Sequence, residues 1–495
     1  MGFSAIDYAI VIVYLVGITA FGTLFRRTHR TARDYFVGSR NTHWLVISLS
    51  IVATETSTLT LIGVPAQAYA AYNPTAGTGA MTFLQVAAGY ILARILISLL
   101  FVPAYFKGNI LTAYELLNRR FGPRAKHAAA SLFLLMRVLA DGVRVFATSL
   151  VVGAVLQSSI PGIPHLWLWS IAAVGVLTLI YTFEGGIAAV IWTDLIQLVI
   201  YMAGSLLAAW TLLGLIPGGW TAVVEAGRAA GKFQLLSFST DLTVPFTFWA
   251  GLIGGTCLTM ASHGTDQLLV QRLFACRNMR DAQKALVASG FIVFVQFVVF
   301  LLVGVMLFAY YQTVPAPRLT TTDEIFPRFI IDHLSGGIGG LVIAAIFAAA
   351  MSTLSGSLNS LASTTVIDFY QPLAGNRLDE TGMLRLSRWV TVGWGVVLIG
   401  VAVVARDWGS VFTAGLSIAS LVYGPMLGAF LLGVLTTRVG QTGVITGMTV
   451  SLAVMVAVKW LTPLAWTWYV LVGTAVCMAV GTAVSALVER RGQPV

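Results

Sequence analysis

Charge is scarce in this 495-residue chain, where Asp, Glu, Lys and Arg together make up 10% of the residues. An ordinary soluble domain carries about 25%, so a set of soluble domains is excluded. Only three cysteines are present, Cys257, Cys276 and Cys477, with no short spacing between them. That excludes a disulfide framework and a cysteine-built zinc site, and leaves packing as their role. The six histidines, His29, His43, His127, His165, His263 and His333, show no H-E-x-x-H or other metal-ligand spacing, which argues against a membrane-embedded metalloenzyme. No G-x-x-x-x-G-K-[ST] loop occurs, which argues against an ATP-driven pump. The first apolar run, Ile6 to Phe25, has neither a basic leader nor an A-x-A-like cleavage site and reads as a retained helix rather than a signal peptide.

What is abundant is apolar surface, at 58% of residues and a mean hydropathy of +0.87. A bilayer-spanning helix needs roughly 20 such residues. Apolar runs fall at 5–25, 44–72, 80–105, 127–157, 166–183, 187–214, 245–270, 284–312, 337–370, 385–405, 409–437, 441–459 and 466–488. They predict an all-α polytopic membrane protein of about thirteen transmembrane helices. The basic residues give its orientation. Twenty of the 29 lysines and arginines fall in alternate loops, among them Arg26, Arg27, Arg30, Arg33, Arg40, Lys107, Lys126, Arg272, Arg277, Arg377 and Arg490. Only Arg228, Lys232, Arg318, Arg328, Arg406 and Lys459 fall on the other side. This bias predicts a multi-pass plasma (inner) membrane protein with its N-terminus outside and its C-terminus in the cytoplasm. The formal charge of +10 is then a matter of orientation, not of nucleic-acid binding.

Setting aside the first helix (within 1–43) and the last two (within 438–495) leaves ten spans. They divide into blocks of five at 44–214 and 245–437, joined by an extracellular loop at 215–244. Five spans per block force the second block to insert upside down. Inverted repeats of this kind place transporter sites at the bilayer midplane, in discontinuous helices.

Two polar clusters interrupt the apolar spans. Ala53-Thr54-Glu55-Thr56-Ser57-Thr58-Leu59-Thr60 is followed by Gly63 and Pro65. It fits either a polar helix seam or an unwound binding segment, whose freed backbone groups must line a cavity at that depth. The second cluster is Ala349-Ala350-Met351-Ser352-Thr353-Leu354-Ser355-Gly356-Ser357. Small residues there suit close helix packing, but hydroxyls and unpaired carbonyls are also the hard oxygens that sodium takes. One cluster in each block favours an ion site.

Seven ionisable residues are assigned to the interiors of spans: Glu55, Arg94, Arg137, Asp141, Arg144, Asp194 and Asp266. Each is costly there and marks a candidate site. Arg137, Asp141 and Arg144 share one helix face at i, i+4 and i+7. They fit a buried ion-pair ladder, or a ladder whose Arg144 receives an anionic solute. Asp194 has no cation near it in sequence, and is a candidate for a second cation site or a proton relay. Asp266 is expected near the inner membrane interface.

These residues also carry a resemblance. Asp7-Tyr8 and Tyr14, then Asp34-Tyr35-Phe36-Val37-Gly38-Ser39-Arg40, open a series that continues with Gly63-Val64-Pro65-Ala66, Gly185-Gly186 and Val190-Ile191-Trp192-Thr193-Asp194. Gly264-Thr265-Asp266-Gln267, Gln271-Arg272 and Tyr423-Gly424-Pro425-Met426 complete it. In this order and over the whole length, the chain resembles the sodium:solute symporter family, whose members share the LeuT-type 5+5 inverted-repeat fold. The resemblance implies a main sodium site made of the Ala53, Thr56 and Ala349 carbonyls and the Ser352 and Thr353 hydroxyls. It implies a possible second cation site at Asp194 and Ser355, although Gly356 replaces a serine that some relatives have there.

For the solute it points to Glu55, Ser57, Thr60 and Arg144. Sugar-transporting members resemble the chain less, having glutamine where Thr60 stands. Sialic-acid transporters share hydroxyls at Ser57 and Thr60 but lack an acid at Glu55, which proline carriers have. The expectation is a sodium-coupled importer of a small carboxylate-bearing or zwitterionic solute, working by alternating access. It has no organic cofactor and, beyond lipid, no obligate protein partner. A proton-coupled carrier and a sodium-coupled sugar transporter are the alternatives.

Overall fold

The computed structural model describes residues 4–25, 31–38, 40–73, 79–107, 110–159, 165–319, 321–334, 336–374, 379–405 and 411–492. Arg26, Arg27, His29, Arg30, Ser39, Arg377 and Arg406 lie outside the described residues. Within them the backbone is helical nearly throughout and forms no strand, only one isolated bridge between Thr42 and Cys276.

The helices run α1 (Ala5–Thr23), α2 (Ala32–Val37), α3 (Trp44–Glu55), α4 (Thr58–Tyr69), α5 (Leu84–Phe106), α6 (Glu115–Phe121), α7 (Pro123–Ser159), α8 (Leu166–Leu215) and α9 (Gly219–Ala229). They continue with α10 (Gly255–Gly264), α11 (Gln267–Leu273), α12 (Met279–Thr313), α13 (Ile325–His333), α14 (Ile338–Ser363) and α15 (Gln371–Ala374). The last four are α16 (Glu380–Val404), α17 (Val411–Leu435), α18 (Gln441–Leu461) and α19 (Tyr469–Gly492). Among the described residues, nine helical stretches are long and apolar enough to cross a membrane, and the bent pair α3–α4 makes a tenth.

The shortfall from thirteen lies in three places. The 50 residues of α8 span about 75 Å at 1.5 Å per residue, more than twice a hydrocarbon core of about 30 Å. The runs 166–183 and 187–214 are therefore two helices that meet at a kink at Gly186, with φ 50° and ψ −152°. Only glycine reaches this backbone region at low cost, and a Cβ there would lie 2.5 Å from the Tyr35 carbonyl of α2. The second place is α7, which carries Arg137, Asp141 and Arg144 in mid-helix. The third is α10, which has only 10 residues.

At the centre stands α14, buried at every residue from Val342 to Ser363. Long-range contacts hold it against α8, α3, α7 and α16. Its start is tied to α1 through Asp7, which closes a capping box with Ser4 and accepts the Gly337 and Gly340 N–H groups at 3.0 and 2.7 Å. Large apolar side chains such as Val13, Trp210, Val396 and Trp460 are exposed on the periphery, as a lipid-facing surface allows.

Two helices break around this core. Between α3 and α4 the axis turns by 66° through the extended residues Thr56 (ψ 96°) and Ser57 (ψ 174°). Between α10 and α11 the chain leaves helical geometry at Thr265 and Asp266, and Asp266 caps α11 by accepting the Leu268 N–H at 2.9 Å. The sequence does not mark this second break; the hydroxyl-rich row 349–357 sits inside the unbroken α14.

Candidate functional site

The break after α3 frees main-chain oxygens. The Thr56 N–H makes the last helical bond, to Val52, and the next bonds run from Thr60 and Leu61 to Ser57. No backbone N–H among the described residues reaches the carbonyls of Ala53, Thr54, Glu55 or Thr56. Orphaned carbonyls this deep need another partner. One is supplied by α14, where Thr353 Oγ1 lies 3.2 Å from both the Thr54 and the Ala349 carbonyl oxygens. One turn's side away, the Ser352 hydroxyl donates to Asp194 Oδ1 at 2.6 Å, which leaves the serine's lone pairs free. The two sequence clusters therefore meet, with Thr54 as a contact that the motif comparison passed over.

Asp194 is fully buried. Besides Ser352 it accepts from Ser50 (2.6 Å), Thr54 (3.1 Å) and Arg272 Nη2 (2.9 Å). The sequence reading leaves Asp194 without a cation because it assigns Arg272 to a cytoplasmic loop with Arg277 and Arg280. In the fold Arg272 lies on α11 and is buried. Ser355, expected beside Asp194, instead donates to the Ser352 carbonyl of its own helix at 3.0 Å.

Beside the break lies a cavity of about 920 Å³, counted out to its mouth, lined by Glu55, Ser57, Thr60, Arg144 and His263 among others. A narrow cleft of about 10 Å³ brings Ser57 and Arg144 together with Thr353, so the α14 hydroxyl row adjoins the residues expected to hold solute. Arg144 Nη1 donates to Asp141 at 2.9 Å; the side chain is 26% exposed, so the rest of its guanidinium is open to the cavity. Arg137 is buried and also pairs with Asp141, at 3.3 Å. It further binds Asp266, which accepts from Tyr423 at 2.7 Å. Asp266 is thus a buried midchain ion-pair partner, not the interface residue expected from sequence.

Glu55 pairs with the buried Arg94 and lies 3.4 Å from His263 Nε2. Arg94 Nη2 is itself 2.8 Å from that nitrogen. A guanidinium only donates, so Nε2 accepts and the His263 proton sits on Nδ1, 2.9 Å from Ser262 Oγ. His263 is then neutral. Around the cavity and Asp194, the four acids Glu55, Asp141, Asp194 and Asp266 are balanced by Arg94, Arg137, Arg144 and Arg272. His263 has no motif around it, and only its position in the fold singles it out.

The loop after α9 delivers one more buried cation. Lys232 is fully buried. Its ammonium donates to the carbonyls of Ala68 (3.1 Å), Tyr69 (3.0 Å) and Ala70 at the end of α4, and lies 4.2 Å from the centre of the Phe308 ring. It caps the C-terminal end of α4, the second half of the broken helix, where a cation is favoured. Burial lowers its pKa from 10.5 to about 8. The folded protein thus gives up this proton near pH 8 while an unfolded chain holds it to about 10.5. Burial of the charge opposes folding fully below pH 8, and that opposition fades as the pH rises through 8 to 10.5. The cap itself weakens over the same rise, because a neutral amine has only two N–H groups for three carbonyls. Uptake into proteoliposomes under an inward sodium gradient is expected to step between pH 7 and 9. Lys232→Arg should flatten that step by holding the charge, and a step retained in Lys232→Arg would assign it to another group.

No group of three or more His, Cys, Asp or Glu residues among the described ones is placed to hold a metal ion. The oxygens at the break, mostly neutral, suit a monovalent cation instead. Comparisons with known proteins agree with this chemistry. The model of the sodium:solute symporter family matches residues 35–451. A sodium/sialic acid symporter of Aliivibrio fischeri is 31% identical over 97% of this chain and 92% of its own. One from Proteus mirabilis is 29% identical over 98% and 96%. The human sodium/iodide cotransporter is 28% identical over 91% and 69%. A solved Na⁺-coupled sialic acid symporter, substrate-bound and outward-open, superposes with a TM-score of 0.86 at 27% identity, covering 98% of both chains. A nucleobase-cation-symport-1 family transporter shares the fold at a TM-score of 0.60 and 14% identity, over 94% of this chain and 96% of its own. The fold is therefore that of LeuT-type transporters, and the chain belongs to the sodium:solute symporter family as a multi-pass, sodium-coupled symporter rather than an enzyme.

Proposed function

We propose that this symporter imports a small carboxylate-bearing solute, with sialic acid the first to be tried. The observation that carries this reading is Arg144, anchored by one nitrogen to Asp141 and open to the cavity with the others. A guanidinium presented this way suits a carboxylate, and Ser57 and Thr60 supply hydroxyls beside it. The similarity to two sialic acid symporters supports the choice. Sodium binds at the break, held by the Ala53, Thr56 and Ala349 carbonyls with Ser352 and Thr353, and the Thr54 carbonyl lies within reach of the same row. Rocking of the block 44–214 against 245–437 then exposes the site to each side in turn, with the N-terminus outside and the C-terminus in the cytoplasm.

A zwitterionic solute is the second reading. It rests on Glu55, whose Oε2 is engaged by Arg94 while the residue lines the cavity, where it would meet an ammonium group. The test is uptake into proteoliposomes under an inward sodium gradient, using labelled sialic acid, short monocarboxylates, proline and glucose. Sodium-driven uptake of sialic acid or a monocarboxylate supports the first reading, and of proline alone the second. If no solute responds to sodium, the solute reading fails. Uptake that survives sodium removal but not collapse of a pH gradient would move the coupling to protons.

A further inference from the structure

Asp194 and Ser355 are where the sequence leads one to look for a second sodium, and the residues around them do not fit one. We propose that the Arg272 guanidinium permanently takes the place of a second coupling cation, so that the carrier binds a single sodium. This rests on the sodium-coupled reading above. Four donors already converge on Asp194, from Ser50, Thr54, Ser352 and Arg272, all within 3.1 Å. The pair is buried, with Arg272 and Asp194 side chains 1% and 0% exposed. Its charges cancel, and a sodium added there would leave an uncompensated buried cation.

The guanidinium is held on every side. Nε donates to Ser50 at 3.0 Å, Nη1 to the Leu268 carbonyl at 2.6 Å and Nη2 to Asp194. Room for it comes from Gly356, where a Cβ would stand 2.7 Å from Nη2. One missing side chain thus both removes a hydroxyl and admits the arginine, and Ser355 turns its own hydroxyl back into the helix. The pair also orients Ser352. By accepting that serine's hydrogen bond, Asp194 leaves the oxygen only its lone pairs to present toward the break, so Asp194 and Arg272 act as positioning residues for the one ion that binds.

Saturation binding of radioactive sodium to the purified full-length protein, without solute, reads this directly. The expected result is one ion per chain with a Hill coefficient of one. Arg272→Ala leaves Asp194 free and should raise the count to two, returning to one when Asp194→Asn is added. Gly356→Ser, which crowds the guanidinium off the acid, should also give two and replaces the first variant if that one does not fold. Two ions in the wild type, or a count that stays at one in both variants, overturns the proposal while leaving sodium coupling intact. No saturable sodium at all overturns the sodium-coupled reading and this inference with it.

Discussion

Replacing Ser352 and Thr353 together by alanine is expected to raise the sodium concentration for half-maximal uptake by about 100-fold. Each lost oxygen removes an interaction with a charge worth roughly 1.5–3 kcal/mol. Two at the low end give about 3 kcal/mol, or two powers of ten. The helix itself tolerates the change, since alanine is the best helix former and α14 already has Ala348, Ala349 and Ala350 in its core. Ser352→Ala alone also leaves Asp194 with Ser50, Thr54 and Arg272 as donors. The measurement is a sodium titration of uptake at fixed solute. Solute KM at saturating sodium should move far less, and an unchanged sodium requirement would remove this row from the ion site.

Arg144→Ala is expected to raise the KM for a carboxylate-bearing solute by roughly 10- to 150-fold, the equivalent of about 1.5–3 kcal/mol for a charge-assisted contact. The cost to folding should be small, because Asp141 keeps Arg137 as a partner at 3.3 Å. Arg144→Lys should recover only part of the loss, since an ammonium is a point charge without the planar fork. Sodium binding without solute should be nearly unaffected. The combination to look for is a large change in solute KM with an unchanged sodium titration. Equal losses in both would mean that Arg144 holds the helices together rather than the solute.

The sequence reveals most where local chemistry contradicts its surroundings. Thr54 to Thr60, with Glu55 among them and Pro65 beyond, cannot continue an apolar helix undisturbed, and the chain does break there. The hydroxyl row on α14 is equally visible, but hydroxyls that bond back to the preceding turn, as Ser355 does, leave a helix intact. Its polarity is therefore carried without a second break. The real second break, at Thr265 and Asp266, has one acid and no hydroxyl cluster to announce it. Its acid is paired across 129 residues with Arg137, a relation that spacing cannot show. Arg272 was hidden differently, because it stands close in sequence to the loop cations Arg277 and Arg280 and only the fold separates it from them. At Gly186 the paired glycines and Glu184 look like a loop, whereas the chain needs just one residue with positive φ to turn.

The balance of four acids against four arginines around the cavity sets what can drive the cycle. With His263 neutral, the empty site carries no net charge across the membrane. One sodium and one monocarboxylate, the load proposed above, would leave the site equally neutral. Voltage then has nothing to act on in either direction, and a tenfold sodium gradient concentrates solute about tenfold, about 1.4 kcal/mol of work. A zwitterion in the same cavity would move one net positive charge and gain roughly 2.3 kcal/mol per 100 mV. Whether this carrier feels the membrane potential is thus decided by the charge of its passenger, because the protein's own charges cancel.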